Sequence, residues 1–181
     1  MRNACFFVVL TAVGLFGFAG TTGGADDHDL GISARLRALN EVPPNSSQAR
    51  AEFRGEISSD GTTITYTVTW SGLTTLPLFS HIHFAPPKVN GGVMVFLCGG
   101  GGKPPCTPDT SGEASGTITA ADIVGPAAQG INPAPAGQFA DVIRAILTGN
   151  AYANLHSTKY PGGEVRGLVV VHSDHDKDDK K

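Results

Sequence analysis

The stretch TTITYTVTW, residues 62–70, decides the fold class of this chain. Apolar side chains occupy every second position and threonines the positions between them. In an extended backbone this places the apolar side chains on one face and the polar ones on the other. Asp60-Gly61, a typical turn pair, directly precedes the stretch. The pattern therefore predicts a half-buried β-strand that follows a tight turn.

Similar alternation recurs on both sides of this strand. Upstream, residues 32–39 and 51–57 alternate, and the second segment is expected to form a hairpin with the 62–70 strand through residues 58–61. Downstream, the alternating segments are residues 79–84, 93–97, 112–119, 150–156 and 164–171. About eight short strands separated by turn residues predict an all-β fold, an antiparallel Greek-key-like β-sandwich or barrel.

One segment has helical periodicity. In residues 138–147 apolar side chains recur at intervals of three and four, and Gly149 follows as a stop signal. This single short helix is expected to cap one end of the sandwich. Thr119-Ala-Ala-Asp122 has the spacing of a capping box, with Asp in place of Glu, which predicts one further turn.

The first 25 residues have the pattern of a cleavable signal peptide. Arg2 supplies a positive start, and residues 5–19 form an apolar segment that is too short to cross a bilayer. Cleavage after Ala19 and cleavage after Ala25 both fit the small-residue rule, and the onset of charge favours Ala25. A retained membrane anchor is the alternative.

Cleavage after Ala25 divides the chain into three parts. Residues 1–25 are the signal peptide, residues 26–171 form one β-sandwich domain, and residues 172–181 form a charged tail that is expected to be disordered. The sequence thus predicts a secreted or periplasmic protein that has no membrane span after cleavage.

The charge of the chain is mildly negative. The formal net charge is −3, and it becomes −4 when Arg2 is removed, which gives no electrostatic reason to expect nucleic acid or an anionic membrane as a partner. Since Cys5 leaves with the signal peptide, only Cys98 and Cys106 remain. In an exported chain such a pair predicts a disulfide, with metal binding by the two thiols as the alternative.

Three histidines are candidate metal ligands. Alternation in the 79–84 strand places His81 and His83 on one face, about 6.5 Å apart at the backbone. His156 lies late in another predicted strand. Imidazoles from two strands suit copper or, second to it, zinc. The alternative is a structural role in which these histidines bond to loop backbone.

Four other residues are candidates for supporting roles. Tyr152 and Asn154 share the face of His156, so they could orient its ring or serve as core and turn residues. Arg166 could attract an anion. Glu164 alternates to the same face as Arg166, and the two could instead form an ion pair that fixes the last strand.

A separate metal site depends on where the signal peptide is cleaved. Cleavage after Ala25 exposes Asp26-Asp27-His28, in which a free amine, two backbone amides and an imidazole form a set of nitrogens suited to Cu(II) or Ni(II). Cleavage after Ala19 abolishes this site. The alternative is a solvated tail, which the neighbouring acidic residues favour.

Five blocks, in this order along the chain, resemble the CHRD domain. They are Glu41-Val-Pro-Pro44, His81-Ile-His83 and residues 116–122, 149–156 and 161–167. The family is named for a domain repeated in chordin, a secreted morphogen antagonist, and most bacterial members are exported single-domain proteins without an established activity. The resemblance implies a β fold and export, and it names no reaction. It also implies an alternative function, an extracellular protein-interaction module in which the histidines are structural.

A fainter similarity is to copper/zinc superoxide dismutase, in the order His-x-His, a lone His, then Gly-x-x-Arg. It implies His81, His83 and His156 as copper ligands and Arg166 as the cation that attracts the substrate. The sequence has no zinc-ligand cluster and no bridging histidine in residues 90–108. The similarity therefore supports one copper-type site and not dismutase activity.

No other catalytic constellation is present in the sequence, which lacks a nucleophile elbow and a phosphate-binding glycine loop. The sequence favours a metal carrier or binding protein over an enzyme. If the protein is an enzyme, a superoxide dismutase-like copper redox activity is the expected one.

Overall fold

A computed structural model describes residues 28–133 and 139–172. The predictions for the signal peptide, for Asp26 and Asp27 and for the tail after His172 lie outside these residues. The strands are β1 (Leu30–Arg37), β2 (Arg50–Ile57), β3 (Ile64–Ser71), β4 (Pro77–Phe84), β5 (Gly92–Cys98), β6 (Gly112–Ile118), β7 (Ala151–Ser157), β8 (Val165–Leu168) and β9 (Val170–Val171). The helix α1 spans Phe139–Leu147.

The strands form one antiparallel, nearly closed sheet in the order β5-β4-β7-β8-β1-β2-β3-β6, and β9 also pairs with β1. Residues 62–70 supply most of β3, and the predicted hairpin with β2 is present, with Phe53 opposite Val68. Both of these side chains are fully buried. The all-β prediction is confirmed in its barrel form.

The ends of the sheet, β5 and β6, meet without a full ladder and are joined by other contacts. The Tyr66 hydroxyl donates a hydrogen bond to the backbone oxygen of Leu97 at 2.6 Å. An isolated bridge links Val95 to Ile123. These contacts join β5 to β3 and to the segment after β6, across the gap between the two edge strands.

The last predicted strand is interrupted at one residue. Residues 164–171 form β8 and β9, which pair with β1 in the same register, Arg37 with Arg166 and Ser33 with Val170. Between them, the Val169 N–H donates to the backbone oxygen of Ala151 on β7. The described part of the chain consequently contains nine strands where the sequence predicts about eight.

The helix lies where its periodicity predicts, and it packs on the barrel core through Phe139, Val142, Ala145 and Ile146. Leu147, which the apolar pattern places on the same face, is 49% exposed. The capping box is confirmed, because Thr119 and Asp122 cap a short 3-10 turn. In the part of the chain that the structure describes, no helix has the length and hydropathy needed to span a membrane.

The predicted disulfide between Cys98 and Cys106 is present. It closes a short glycine-rich loop at the end of β5, and Gly100 and Gly101 of this loop pack against the Phe96 ring. Reduction should lower the free energy of unfolding by about 2–3 kcal/mol, because the unfolded chain regains loop entropy. Urea denaturation with and without reductant measures the loss, and equal midpoints would contradict it.

Candidate metal centre

The three candidate histidines lie on the face of the sheet that points away from the barrel core. In β4, Ile82 belongs to the core, and its neighbours His81 and His83 point to the opposite side. In β7, Leu155 belongs to the core and His156 follows it. Because β4 and β7 are neighbours, this outer face brings the imidazoles together.

Loops cover this outer face, so its polar residues are buried even though they lie outside the core. The Asn90 side chain donates to the backbone oxygen of Val42 at 3.1 Å, which ties the β4–β5 loop to the segment after β1. As a result, His81 is 3% exposed, His83 9% and His156 6%. The cluster is a buried site beneath loops.

The histidine rings are in direct contact. The ring centroids of His81 and His83 are 4.4 Å apart, and those of His81 and His156 are 4.7 Å apart. One potential ligand atom from each residue lies within 4.8 Å of the others. The structure thus brings together the three histidines that the sequence singles out.

Backbone carbonyls fix the tautomers of two of these histidines. Nδ1 of His83 bonds to the backbone oxygen of Gly91 at 2.8 Å, and Nδ1 of His156 bonds to that of Pro161 at 2.9 Å. A carbonyl only accepts, so Nδ1 carries the proton, and the lone pair of each neutral ring is on Nε2.

Three buried ring nitrogens have no hydrogen-bond partner among the described protein atoms. They are Nε2 of His83, Nε2 of His156 and Nδ1 of His81. Buried polar atoms are nearly always satisfied, so three exceptions in one cluster require an explanation. Coordination of a metal ion would use one nitrogen from each ring.

Burial keeps these imidazoles neutral. Burial, together with the neighbouring His83 and His156, lowers the pKa of His81 to about 2. Burial also lowers the pKa of His83 to about 4, although the bond to Gly91 acts in the opposite direction. The pKa of His156 is lowered for the same main reason. At neutral pH each ring therefore keeps a lone pair for binding.

Aromatic side chains surround the imidazoles. The Phe79 ring lies 4.6 Å from that of His156 and 5.3 Å from that of His81, and the Phe96 ring lies 5.1 Å from that of His81. Tyr152 stacks on His83 at 4.6 Å with an interplanar angle of 8°. These contacts hold the rings in an apolar setting.

Arg166 forms a buried ion pair beside the cluster. Its Nε lies 3.1 Å from Oε2 of Glu41, and both side chains are buried. Its Cζ atom lies 3.9 Å above the Tyr152 ring. Nη1 donates to Val89 O at 3.2 Å and Nη2 to the Asn90 side chain. The guanidinium is thus held by protein groups and, through Tyr152, supports His83.

The predicted alternative of an ion pair between Glu164 and Arg166 is wrong, because Arg166 pairs with Glu41. Oε1 of Glu164 accepts hydrogen bonds from Ser47 Oγ at 2.6 Å and from the Thr74 amide at 2.8 Å. Burial raises the pKa of Glu164, but its donors outweigh that effect and the pKa is lowered overall. Glu164 links two loops to the start of β8, and none of its hydrogen bonds to the described residues is to a histidine ring.

Asn154 lies between the histidines and the ion pair. It is 1% exposed, it is opposite His81 in the β4–β7 ladder, and its Oδ1 has no hydrogen-bond partner among the atoms described. Its side chain raises the pKa of His81 and of His83, against the larger effect of burial. The structure thus places Asn154 beside two of the rings, where the sequence associates it with His156.

Sequence reasoning missed the roles of Glu41, Phe79 and Phe96. Alternation offers a signal for Phe79, which lies two residues before His81 on the same strand. Glu41 lies in the first of the five sequence blocks, but no local pattern links it to Arg166. Of the proposed N-terminal site, only His28 is described, and it is exposed. That site stays a prediction.

The fold and site define a small disulfide-bonded β-barrel domain with a buried histidine cluster on one face. The family model for the CHRD domain matches residues 32–169. The chain therefore belongs to the CHRD domain family, whose members are generally extracellular, and the disulfide fits an extracytoplasmic location. No curated protein and no solved structure matches the chain.

Proposed function

We propose that this CHRD-domain protein is exported and binds one copper-type metal ion through His81, His83 and His156. One cluster carries the proposal: one potential ligand atom from each histidine lies within 4.8 Å of the others, and each ring has a buried nitrogen without a hydrogen-bond partner among the described atoms. Neutral imidazole is a good ligand for copper and zinc. Copper is the first choice because, for a given set of nitrogen donors, it binds most tightly of the first-row divalent ions.

The side chains fit such an ion. Bonds from imidazole nitrogen to metals of this class are about 2.0–2.1 Å long, so two ligand atoms on one ion are at most about 4 Å apart. The nitrogens here lie within 4.8 Å of one another. Binding would require these atoms to approach one another by about 1 Å or less. The bonds from His83 and His156 to backbone carbonyls would orient these rings and increase their basicity.

The surroundings of the site favour binding over catalysis. A superoxide-processing enzyme would need an accessible cation to attract its anionic substrate. Arg166 supports that role poorly, because its guanidinium pairs with Glu41 and its side chain is only 6% exposed. A metal carrier or buffer in the extracytoplasmic space needs only affinity, so this is the function that we propose.

Copper titration of the mature protein tests the proposal. Wild-type protein should bind one equivalent through the cluster, and His83→Ala should weaken that binding by about 100-fold or more, since one of three ligands is lost. The readout is competition against a chelator of known affinity, followed by metal analysis of the desalted protein.

Exposed His28 provides the matched control. His28→Ala removes the only imidazole of the proposed N-terminal site and should leave binding at the cluster unchanged. Equal copper uptake by wild-type protein and His83→Ala would overturn the proposal. Loss of the tight equivalent in His28→Ala alone would assign it to the N-terminus.

A further inference from the structure

The ligand set of the histidine cluster carries no charge of its own. The group that could hold an ion consists of His81, His83 and His156, and within residues 28–133 and 139–172 no cysteine, aspartate or glutamate joins it. The neighbouring carboxylate, Glu41, is already paired with Arg166 at 3.1 Å. The positive charge of Arg166 lies close by, because its Cζ is 3.9 Å above the Tyr152 ring, which stacks on His83. A bound cation would therefore keep its charge uncompensated.

Uncompensated charge is costly in a buried site. The histidines are between 3% and 9% exposed, so an ion held among them has lost most of its contact with water. The cost of moving an ion from water into a medium of low dielectric constant grows with the square of its charge. A divalent ion therefore meets about four times the desolvation cost of a monovalent ion of the same size.

Among the described residues no further histidine, cysteine or carboxylate joins the three imidazoles, and the unpartnered Oδ1 of Asn154 is a neutral and weaker donor. Phe79 and Phe96 flank the imidazoles, and their rings offer a π-electron face to a cation but no lone pair. Zinc sites are almost always four-coordinate, and Cu(II) prefers square-planar or tetragonal sets of nitrogen and oxygen. Cu(I) carries a single charge and accepts a low coordination number, so three donors in a trigonal arrangement satisfy this ion.

From charge, burial and the number of donors together, we infer that the cluster selects monovalent copper, Cu(I), over Cu(II) and Zn(II). This inference rests on the proposed function and adds the oxidation state of the ion. With this selectivity, the protein would carry or store reduced copper in the extracytoplasmic space.

Separate affinity measurements for the three ions test the inference. The protein is the mature chain with His28→Ala, so that an N-terminal Cu(II) site does not contribute. Under anaerobic conditions, bathocuproine disulfonate competes for Cu(I), nitrilotriacetate for Cu(II), and a zinc-binding dye for Zn(II). We expect Cu(I) to bind at least 100-fold more tightly than Cu(II), which corresponds to a rise of about 118 mV in the reduction potential of the bound copper. Cu(II) or Zn(II) binding as tightly as Cu(I) would overturn the inference.

A charge variant tests the cause of the selectivity. Asn154→Asp places a carboxylate of nearly equal size beside His81, the residue opposite it in the β4–β7 ladder. The preference for Cu(I) over Cu(II) should fall at least tenfold, since the new charge offsets a divalent ion better. An unchanged preference in a folded variant would contradict the electrostatic argument. If the variant does not fold, the three wild-type affinities decide alone.

The outcomes distinguish this inference from the proposed function. If His83→Ala binds all three ions as well as its parent does, the cluster is not the metal site and both fail. If binding depends on His83 but Cu(II) or Zn(II) is preferred, the proposed function stands and only the selectivity for Cu(I) is wrong.

Discussion

Glu41→Ala is expected to destabilise the protein by about 3–5 kcal/mol at pH 7, because it leaves the buried Arg166 without its carboxylate. A guanidinium cannot escape this cost by losing its proton. Its remaining contacts with Val89, Asn90 and Tyr152 are to neutral groups. Chemical denaturation of the metal-free protein measures the difference in the free energy of unfolding.

An exposed ion pair provides the control. Arg54 and Glu52 lie 2.9 Å apart on the surface, with the Arg54 side chain 73% exposed. Glu52→Ala should cost less than about 1 kcal/mol, as is usual for surface pairs. Replacing both Glu41 and Arg166 with methionine should recover much of the loss, since no buried charge is then left unpaired. Similar losses for Glu41→Ala and Glu52→Ala would show that the buried ion pair contributes no more to the free energy of unfolding than the surface pair does.

The metal-free protein is expected to lose about 4 kcal/mol of stability, as an order of magnitude, between pH 7 and pH 5. The pKa of His81 is lowered to about 2 and that of His83 to about 4 in the folded protein, against 6.5 for an ordinary histidine. The unfolded chain therefore takes up protons below pH 6.5 that the folded protein does not bind. Each ring accounts for about 2 kcal/mol at pH 5, and the loss continues down to the folded pKa.

Two neighbouring charged groups bear on this pH dependence. Arg166 favours neutral imidazoles, because it is a cation at every pH in the range. Burial raises the pKa of Glu41, although Arg166 opposes the rise. As the pH falls through this raised pKa, the folded protein takes up the proton more readily than the unfolded chain does. Glu41 therefore stabilises the folded protein at lower pH and acts against the histidines. The histidines dominate from pH 7 to pH 5, since all three titrate there in the unfolded chain and the pKa of His156 is also lowered by folding.

Denaturation curves collected at several pH values test this prediction. His81→Gln should remove about 2 kcal/mol of the change, whereas replacement of the exposed His28 by glutamine should leave it intact. Equal stability of the wild-type protein at pH 7 and pH 5 would show that the buried rings accept protons as readily as free histidine does.

The strands were predictable because their residues follow a local rule. Alternation in residues 62–70 marks β3, and the turn at Asp60-Gly61 fixes its pairing with β2. Pairing between strands distant in the sequence, such as β4 with β7, leaves no such trace. The interruption at Val169 could not be predicted either, since it follows from a hydrogen bond to Ala151.

The histidines were predictable as candidates, and their environment was not. The His-x-His spacing places His81 and His83 on one face, but alternation does not say whether that face is core or exterior. The structure shows that it is the exterior, buried only because loops lie over it. For the same reason Glu41 was overlooked, since its partner Arg166 is 125 residues away in the chain.

Because the histidines and the core occupy opposite sides of β4 and β7, the two can change independently. A substitution of His81, His83 or His156 changes the outer side of these strands, whereas Ile82 and Leu155 belong to the core on the other side. Evolution can therefore erase or reshape the cluster while the scaffold persists, and a protein engineer can install other chemistry at the same positions. Among proteins that share this architecture, some would bind a metal at these positions and others would have only packing side chains at them.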